Sequence, residues 1–198
     1  MRLFGSGRLK PISTAVSQSY CMVYFLKDSK ACIEPLLERR SIRRFKSEDV
    51  PLDLILKAID VARYAPSAHN SQPWEFIIIR SRELLDSLAT LHVGARPLKT
   101  APVAIAILAD HNRSKSAIID ASLAAMQLWL ALHCLGLGAV WIQTVGFNET
   151  IRNMLNYPEH MECIGILAIG WPDEKPSPRP RRPLEEVIHF NKYGEKKP

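Results

Sequence analysis

The chain has 198 residues, 47% of them apolar, which is the composition of an ordinary folded protein and enough for one substantial domain. Its formal net charge of +6, from 26 Lys and Arg against 20 Asp and Glu, would suit a nucleic-acid binder, but the charge sits in two separate arginine groups and Lys196-Lys197 without interleaved aromatics. The cysteines Cys21, Cys32, Cys134 and Cys163 form no Cys-x-x-Cys pair and meet no histidine at zinc-finger spacing, so no metal site or disulfide framework is expected and a reducing cytoplasm fits best.

In chain order, residues 1–33 carry Arg2, Arg8 and Lys10 with several serines and no acidic residue before Asp28. That is a faint transit-peptide pattern. The simpler expectation is a poorly ordered extension, or an upstream start with Met22 as the functional beginning, ahead of one domain over residues 34–198. Residues 39 to 45, Arg39-Arg40-Ser41-Ile42-Arg43-Arg44-Phe45, form a dense cationic and hydroxyl cluster. Pro51 to Tyr64 puts Leu52, Ile55, Leu56, Ile59 and Ala62 at helical spacing, with Asp49 available as a cap and Pro51 suited to the first turn. The loop from Ala65 to Trp74 follows, polar and held by Pro66 and Pro73.

Glu75 to Arg80 and Val103 to Ala109 read as buried strands, with a helix between them over Ser81 to Leu91. Ser116 to Leu135 reads as a long helix, apolar on nearly all sides, so that both faces need partners and one is free for a dimer seam. Asp120, Gln127 and His133 interrupt this run and Gly136 and Gly138 end it, which favours a buried core helix over a membrane span. Ala139 to Thr144 and Cys163 to Trp171 are the remaining strands, separated by a helix from Asn148 to Leu155. Helices and strands mix without strict alternation, which argues an α+β fold. From Pro172 to Pro183 five prolines and three arginines in twelve residues predict extended chain, followed by an amphipathic stretch through Leu184, Val187, Ile188 and Phe190.

The arginine clusters pair with the polar loop chemically. Guanidinium forks bind phosphate oxygens bidentately, and two distant segments together would neutralise one phosphate, while the loop offers hydroxyl, amide and backbone donors to a flat polar ligand. A phosphate plus a flat heterocycle is a nucleotide-like cofactor. No catalytic triad, paired carboxylates, phosphate-cradling glycine loop or His-Glu-x-x-His motif occurs, so hydrolase and nucleoside-triphosphatase chemistry has no support.

The Arg-Arg-Ser-x-Arg run at 39–43, the Pro-Ser-x-x-Asn-x-Gln-Pro-Trp loop at 66–74 and the basic segment at 179–182 occur in the order that resembles the FMN-dependent nitroreductase-like flavoproteins, over roughly residues 34 to 194. The resemblance implies a central, mostly antiparallel sheet flanked by helices, and an intertwined homodimer with an extended C-terminal tail. It implies FMN as cofactor, NADH or NADPH as donor, and a small organic acceptor such as a nitroaromatic, a quinone or a free flavin, with ping-pong kinetics on one shared flavin face. It places Arg39, Arg179 and Arg181, with Arg182, at the phosphate, Ser41 donating to the same phosphate, and Arg40 at phosphate or ribityl oxygens.

By the same resemblance Arg43 lies beside the pyrimidine edge of the flavin, where a fixed cation favours the anionic reduced ring; the alternative is an ion pair with Glu48 or Asp49. Pro66, Ser67, Ala68 and Asn70 would approach the flavin from the other subunit, and Gln143, Thr144 or Gly146 would offer donors near N5 and O4. Gln72 and Trp74 are read as structural, and His69 as a hydrogen-bonding loop residue. Where many relatives have Asn and Lys reaching the flavin, Gly94 and Pro97 stand here, with Arg96 or Lys99 as substitutes. The flavin carries the chemistry, so no side chain is assigned as catalytic. Rival readings are reductive dehalogenation or flavin destruction on the same scaffold, a noncatalytic FMN carrier, and a basic nucleic-acid-associated protein.

Overall fold

Four runs of aliphatic residues pair into one antiparallel sheet in the order β1-β2-β4-β3: β1 is Trp74–Ile79, β2 Val103–Asp110, β3 Gly138–Gln143 and β4 Met161–Gly170. The computed structural model describes residues 33–197, so the expected extension over residues 1–33 lies, but for Ile33, outside the described residues. The backbone separates between Arg39 and Arg40 into two units. Of the first, residues 33–38 form a helix, α1, on which Ile33, Leu36 and Leu37 are exposed. The sheet belongs to the second.

The central strands β2 and β4 are buried along nearly their whole length because both sheet faces are covered, which is why they read as continuous apolar runs and not as alternating ones. One face packs Val103, Ile105 and Ile107 against α2 (Leu52–Ala62) and α4 (Ala117–Cys134). The other packs Ala104, Ala106 and Leu108 beneath α3 (Arg82–Leu88), a 3-10 turn over Val93–Lys99, and α5 (Asn148–Leu155). A bulge joins the two patterns: Ile107 pairs with Gly165 and Leu108 with Cys163, so Ile164 is left between and the strand changes phase. Cys163 and Ile166, three residues apart, therefore share a face, and Ile164 turns to the other.

The expected elements all form, with ends shifted by a few residues. Asp49 does not cap α2; it accepts from the amide of Val50 at 2.9 Å and pairs with Arg80 at 2.5 Å. Ser81 caps α3, accepting from Leu84 at 3.3 Å. The 3-10 turn over Val93–Lys99 was not expected, because the buried Ala95, Pro97 and Leu98 carry no helical period. After Pro183 only a short helix, α6 (Leu184–Val187), forms from the predicted amphipathic stretch.

The helix α4 is long and apolar enough to cross a membrane by composition, yet its Ala121, Ala124, Ala125, Leu128 and Leu132 form the centre of a protein core against α2 and β2. It ends where Gly136 turns left-handed, with Leu137 donating back to Leu132 at 3.0 Å, as a helix stop of this kind requires. Its opposite face keeps Ile118, Ile119, Leu123 and Met126 exposed, Ile119 by 65%. Replacing the fully buried Leu128 by Ala is expected to destabilise the fold by about 2–5 kcal/mol through the cavity left behind. A fall in urea midpoint at constant slope is the reading that checks it.

Candidate functional site

The cationic segment is extended and fastened at both ends to the sheet. Ser41 bridges Ala139 at the start of β3, with Ile42 donating to the Ala139 carbonyl at 3.0 Å. Phe45 bridges Pro172 beyond β4, and Lys46 donates to Trp171 at 3.0 Å. Ile42 and Phe45 at the two ends of the segment are buried, and Arg43 and Arg44 between them are exposed. Two glycines make this seat possible. Gly138 and Gly170 pair across β3 and β4, and a Cβ on the first would stand 2.8 Å from Ile42 and on the second 2.9 Å from Phe45.

Charges along the segment differ in their partners. Glu174 accepts from the amides of Arg43 and Arg44, the latter at 3.2 Å, and lies 3.7 Å from the Arg44 guanidinium, which also donates to the Asp173 carbonyl at 3.2 Å. The Arg43 guanidinium makes no ion pair among the described residues, and Asp49, one of its expected alternatives, is taken by Arg80. Arg43 instead lines a cavity of about 500 Å³ together with Arg44, Phe45, Gly94, Arg96 and Pro97. A cavity of that size is in the range of small-molecule sites.

The polar loop is held in strained backbone. His69, Asn70 and Gln72 all have positive φ, a region that L side chains adopt at a cost unless surroundings fix it. Here the fixing is explicit. Ser67 accepts from Gln72 through its hydroxyl at 3.0 Å, Asn70 donates to the Ser67 carbonyl at 3.0 Å, Ser71 to Ala68 at 3.0 Å, and Arg113 to the Ser71 carbonyl at 3.2 Å. The buried carboxylate of Asp120, on α4, accepts from the Ala68 amide at 3.3 Å and from the Ser114 hydroxyl at 3.1 Å. None of Pro66, Ser67, Ala68 or Asn70 lines the Arg43 cavity of the same chain.

At the exit of β3, Thr144 accepts from Phe147 at 2.9 Å around Val145 and Gly146, and Gly146 has φ +84, the residue that a type II turn needs at its third position. Thr144 is buried and fully engaged: its hydroxyl donates to Cys163 at 2.5 Å and its amide to the Gln143 side chain at 3.0 Å. The Gln143 carbonyl accepts from His92 Nε2 at 2.8 Å, while His92 Nδ1 accepts from Gly94 at 3.1 Å and the ring stacks on Phe147. One imidazole therefore ties this turn to the wall of the Arg43 cavity. The amides of Val145 and Gly146 are left without a partner among the described residues.

Below the turn, Asn148 Oδ1 accepts from the Cys163 amide at 3.0 Å and lies 2.5 Å from the Tyr157 hydroxyl. Burial pushes the Cys163 thiol up to about 12 and the Tyr157 hydroxyl up to about 12. Both are structural groups, not nucleophiles. Among the described residues the tail arginines bond within the tail: Arg182 pairs with Glu186 at 3.1 Å, and Arg181 reaches the carbonyls of Arg179 and Pro180 at 3.4 Å. Arg39 closes the first unit and Arg40 opens the second. The described residues contain no group of His, Cys, Asp or Glu able to hold a metal.

Comparison with known proteins matches residues 36–95 and 89–171 to the model of the Nitroreductase family. A "Putative NADH dehydrogenase/NAD(P)H nitroreductase" of Methanothermobacter thermautotrophicus is 37% identical over 153 residues, covering 74% of this chain and 80% of the relative. Among solved structures, a "Putative NADH dehydrogenase/NAD(P)H nitroreductase" of Parabacteroides distasonis superposes with TM-score 0.78 at 33% identity, covering 81% of this chain and 98% of that one. An "FMN-dependent Nitroreductase" of Clostridium difficile does so with TM-score 0.76 at 34% identity, covering 81% and 99%.

Asp120→Ala would leave the Ala68 amide and Ser114 hydroxyl without their acceptor. It is expected to cost about 1–3 kcal/mol and to speed amide exchange at Ala68 before global unfolding. Hydrogen exchange resolved by residue checks this. The raised thiol and phenol also set an alkaline limit. Above the ordinary thiol value of 9.0 the unfolded chain loses a proton that folded Cys163 retains, so stability is full below that pH and falls as it rises toward 12, with Tyr157 adding to the fall above 10.0. Urea midpoints of wild type and Cys163→Ala between pH 8 and pH 11, roughly spanning the thiol range, should converge as pH rises.

Proposed function

This chain belongs to the nitroreductase family, and from that premise we propose that it is an NAD(P)H-dependent FMN oxidoreductase that reduces a small organic acceptor. The observation that carries the reading is the Arg43 guanidinium, unpaired among the described residues and set on a sheet-anchored segment at the edge of a cavity of about 500 Å³. When bound, FMN would supply the hydride-transfer chemistry between the nicotinamide donor and the acceptor. The protein's residues supply placement and field.

The donor set fits such a group. Arg43 would hold the pyrimidine edge, where a fixed cation in a partly enclosed site stabilises negative charge on the reduced ring. The unpartnered amides of Val145 and Gly146 would face the N5 and O4 side, Thr144 would act by shaping that turn, since its own polar groups are engaged, and Gln143, with its carbonyl and side-chain oxygen engaged, would offer its side-chain amino group. Arg40 and Ser41, with the tail arginines Arg179, Arg181 and Arg182, are proposed at the phosphate, and Arg39 joins them by resemblance.

We also assign the working form to a homodimer in the cytoplasm. The exposed stripe of Ile118, Ile119, Leu123 and Met126 lies on the helix whose Asp120 pins the Ala68 loop, so a partner covering that stripe would receive Pro66, Ser67, Ala68 and Asn70 at its own flavin. Exposed apolar stripes of this kind mark interfaces.

The test is FMN uptake followed by measurement of the bound flavin's midpoint potential. Arg43→Ala is expected to keep FMN but to shift the reduction equilibrium against the reduced form by about tenfold, about 30 mV for a two-electron couple. An unchanged potential would remove Arg43 from the flavin edge. A protein that takes up no FMN would remove the reading itself.

A further inference from the structure

Arg96 is a second cation with no ion-pair partner among the described residues, and it faces the same cavity as Arg43. Its backbone is unusually well fixed. Ala95 and Pro97 on either side are buried, Ala95 donates to the His92 carbonyl at 2.9 Å, and Thr100 donates to Pro97 at 3.2 Å. The Arg82 guanidinium donates to the carbonyls of Leu98 and, at 3.1 Å, of Ala101, closing the far end of the turn. Arg96 also lines an adjoining cavity of about 310 Å³ with Lys99 and His92. Across the two cavities stand three arginines and a lysine, opposed by the Asp173 carboxylate on the lining and by Glu174, which is already committed to Arg44.

That excess of positive charge is more than the flavin edge requires. If Arg43 serves the ring, as proposed above, Arg96 remains as a preorganised cation beside the approach to it. We propose that Arg96 receives an oxyanion on the second substrate, a carboxylate, sulfonate or phosphate, so that the site selects anionic molecules among those that can reach the flavin. The inference rests on the FMN reading and names the substrate class for that site. Guanidinium is suited to this role because its planar fork matches the geometry of an oxyanion. Two sources offer such a group: an acidic aromatic acceptor, or the 2′-phosphate of NADPH.

The experiment uses FMN-loaded full-length protein and reads dissociation constants from the perturbation of the flavin spectrum, without turnover. The probes are benzoate against benzamide, and NADP⁺ against NAD⁺, in wild type, Arg96→Ala and Arg96→Lys. In wild type the more anionic member of at least one pair should bind about fivefold tighter, the scale of one exposed ion pair. The gap should close in Arg96→Ala, survive in Arg96→Lys, and shrink as salt is raised. A gap confined to benzoate identifies the acceptor as the source of the anion, and one confined to the dinucleotides identifies the donor; either supports the assignment. Equal binding within both pairs, or a gap that Arg96→Ala leaves in place, overturns it while leaving the FMN reading intact. Failure to load FMN at all overturns both.

Discussion

The site depends on how one short cationic segment is seated on the sheet. Ile42 packs where Gly138 has no side chain and Phe45 where Gly170 has none, and these two glycines face each other across the β3–β4 ladder. The close approach lets Ser41 bridge β3 and Phe45 bridge the chain just beyond β4. With Ile42 and Phe45 buried on either side, Arg43 and Arg44 are left exposed at the cavity, and Glu174 fixes the backbone of both. A cation's direction is thus set by the packing of its apolar neighbours. Side chains at either glycine would push the segment away and move the charge with it.

A second layer of control comes from single polar groups that bind backbone at long range. Asp120 reaches a loop 52 residues earlier, and His92 reaches a carbonyl 51 residues later. The first holds a loop with three left-handed residues; the second couples the turn at Gly146 to the wall that carries Gly94 and Arg96. These are the contacts that make irregular backbone reproducible, which a site built on loops requires. Hydroxyls and amides within the loops add local bonds, and the amides of Val145 and Gly146 stay open among the described residues.

Much of this architecture was legible in the sequence. Continuous apolar runs marked β2 and β4, helical spacing marked α2 and α5, and the ordered Arg-Arg-Ser, Pro-Ser and Arg-Pro-Arg-Arg motifs pointed to one nucleotide-like ligand. The roles of Asp120 and His92 were not legible, because a carboxylate in an apolar helix and a histidine before a glycine carry no local sign of a partner some fifty residues away. Asp49 misled for the same reason: it has the position of a cap, but Arg80 arrives from the neighbouring strand end with a stronger, charged donor. The bulge at Ile164 and the 3-10 turn that presents Arg96 break the periods on which strand and helix assignments rest. Arg43 could be paired with Asp49 in sequence; only the three-dimensional competition for that carboxylate leaves it open.

The account stands on the Arg43 cavity being a place where a flavin is reduced. Its most direct test is the visible spectrum of the FMN-loaded protein under anaerobic conditions, titrated with NADH and then NADPH, and followed by addition of a quinone. Stoichiometric bleaching of the bound flavin by a nicotinamide, reversed by the quinone, is the predicted result. Bound flavin that neither nicotinamide bleaches would contradict the account and leave a flavin carrier in its place.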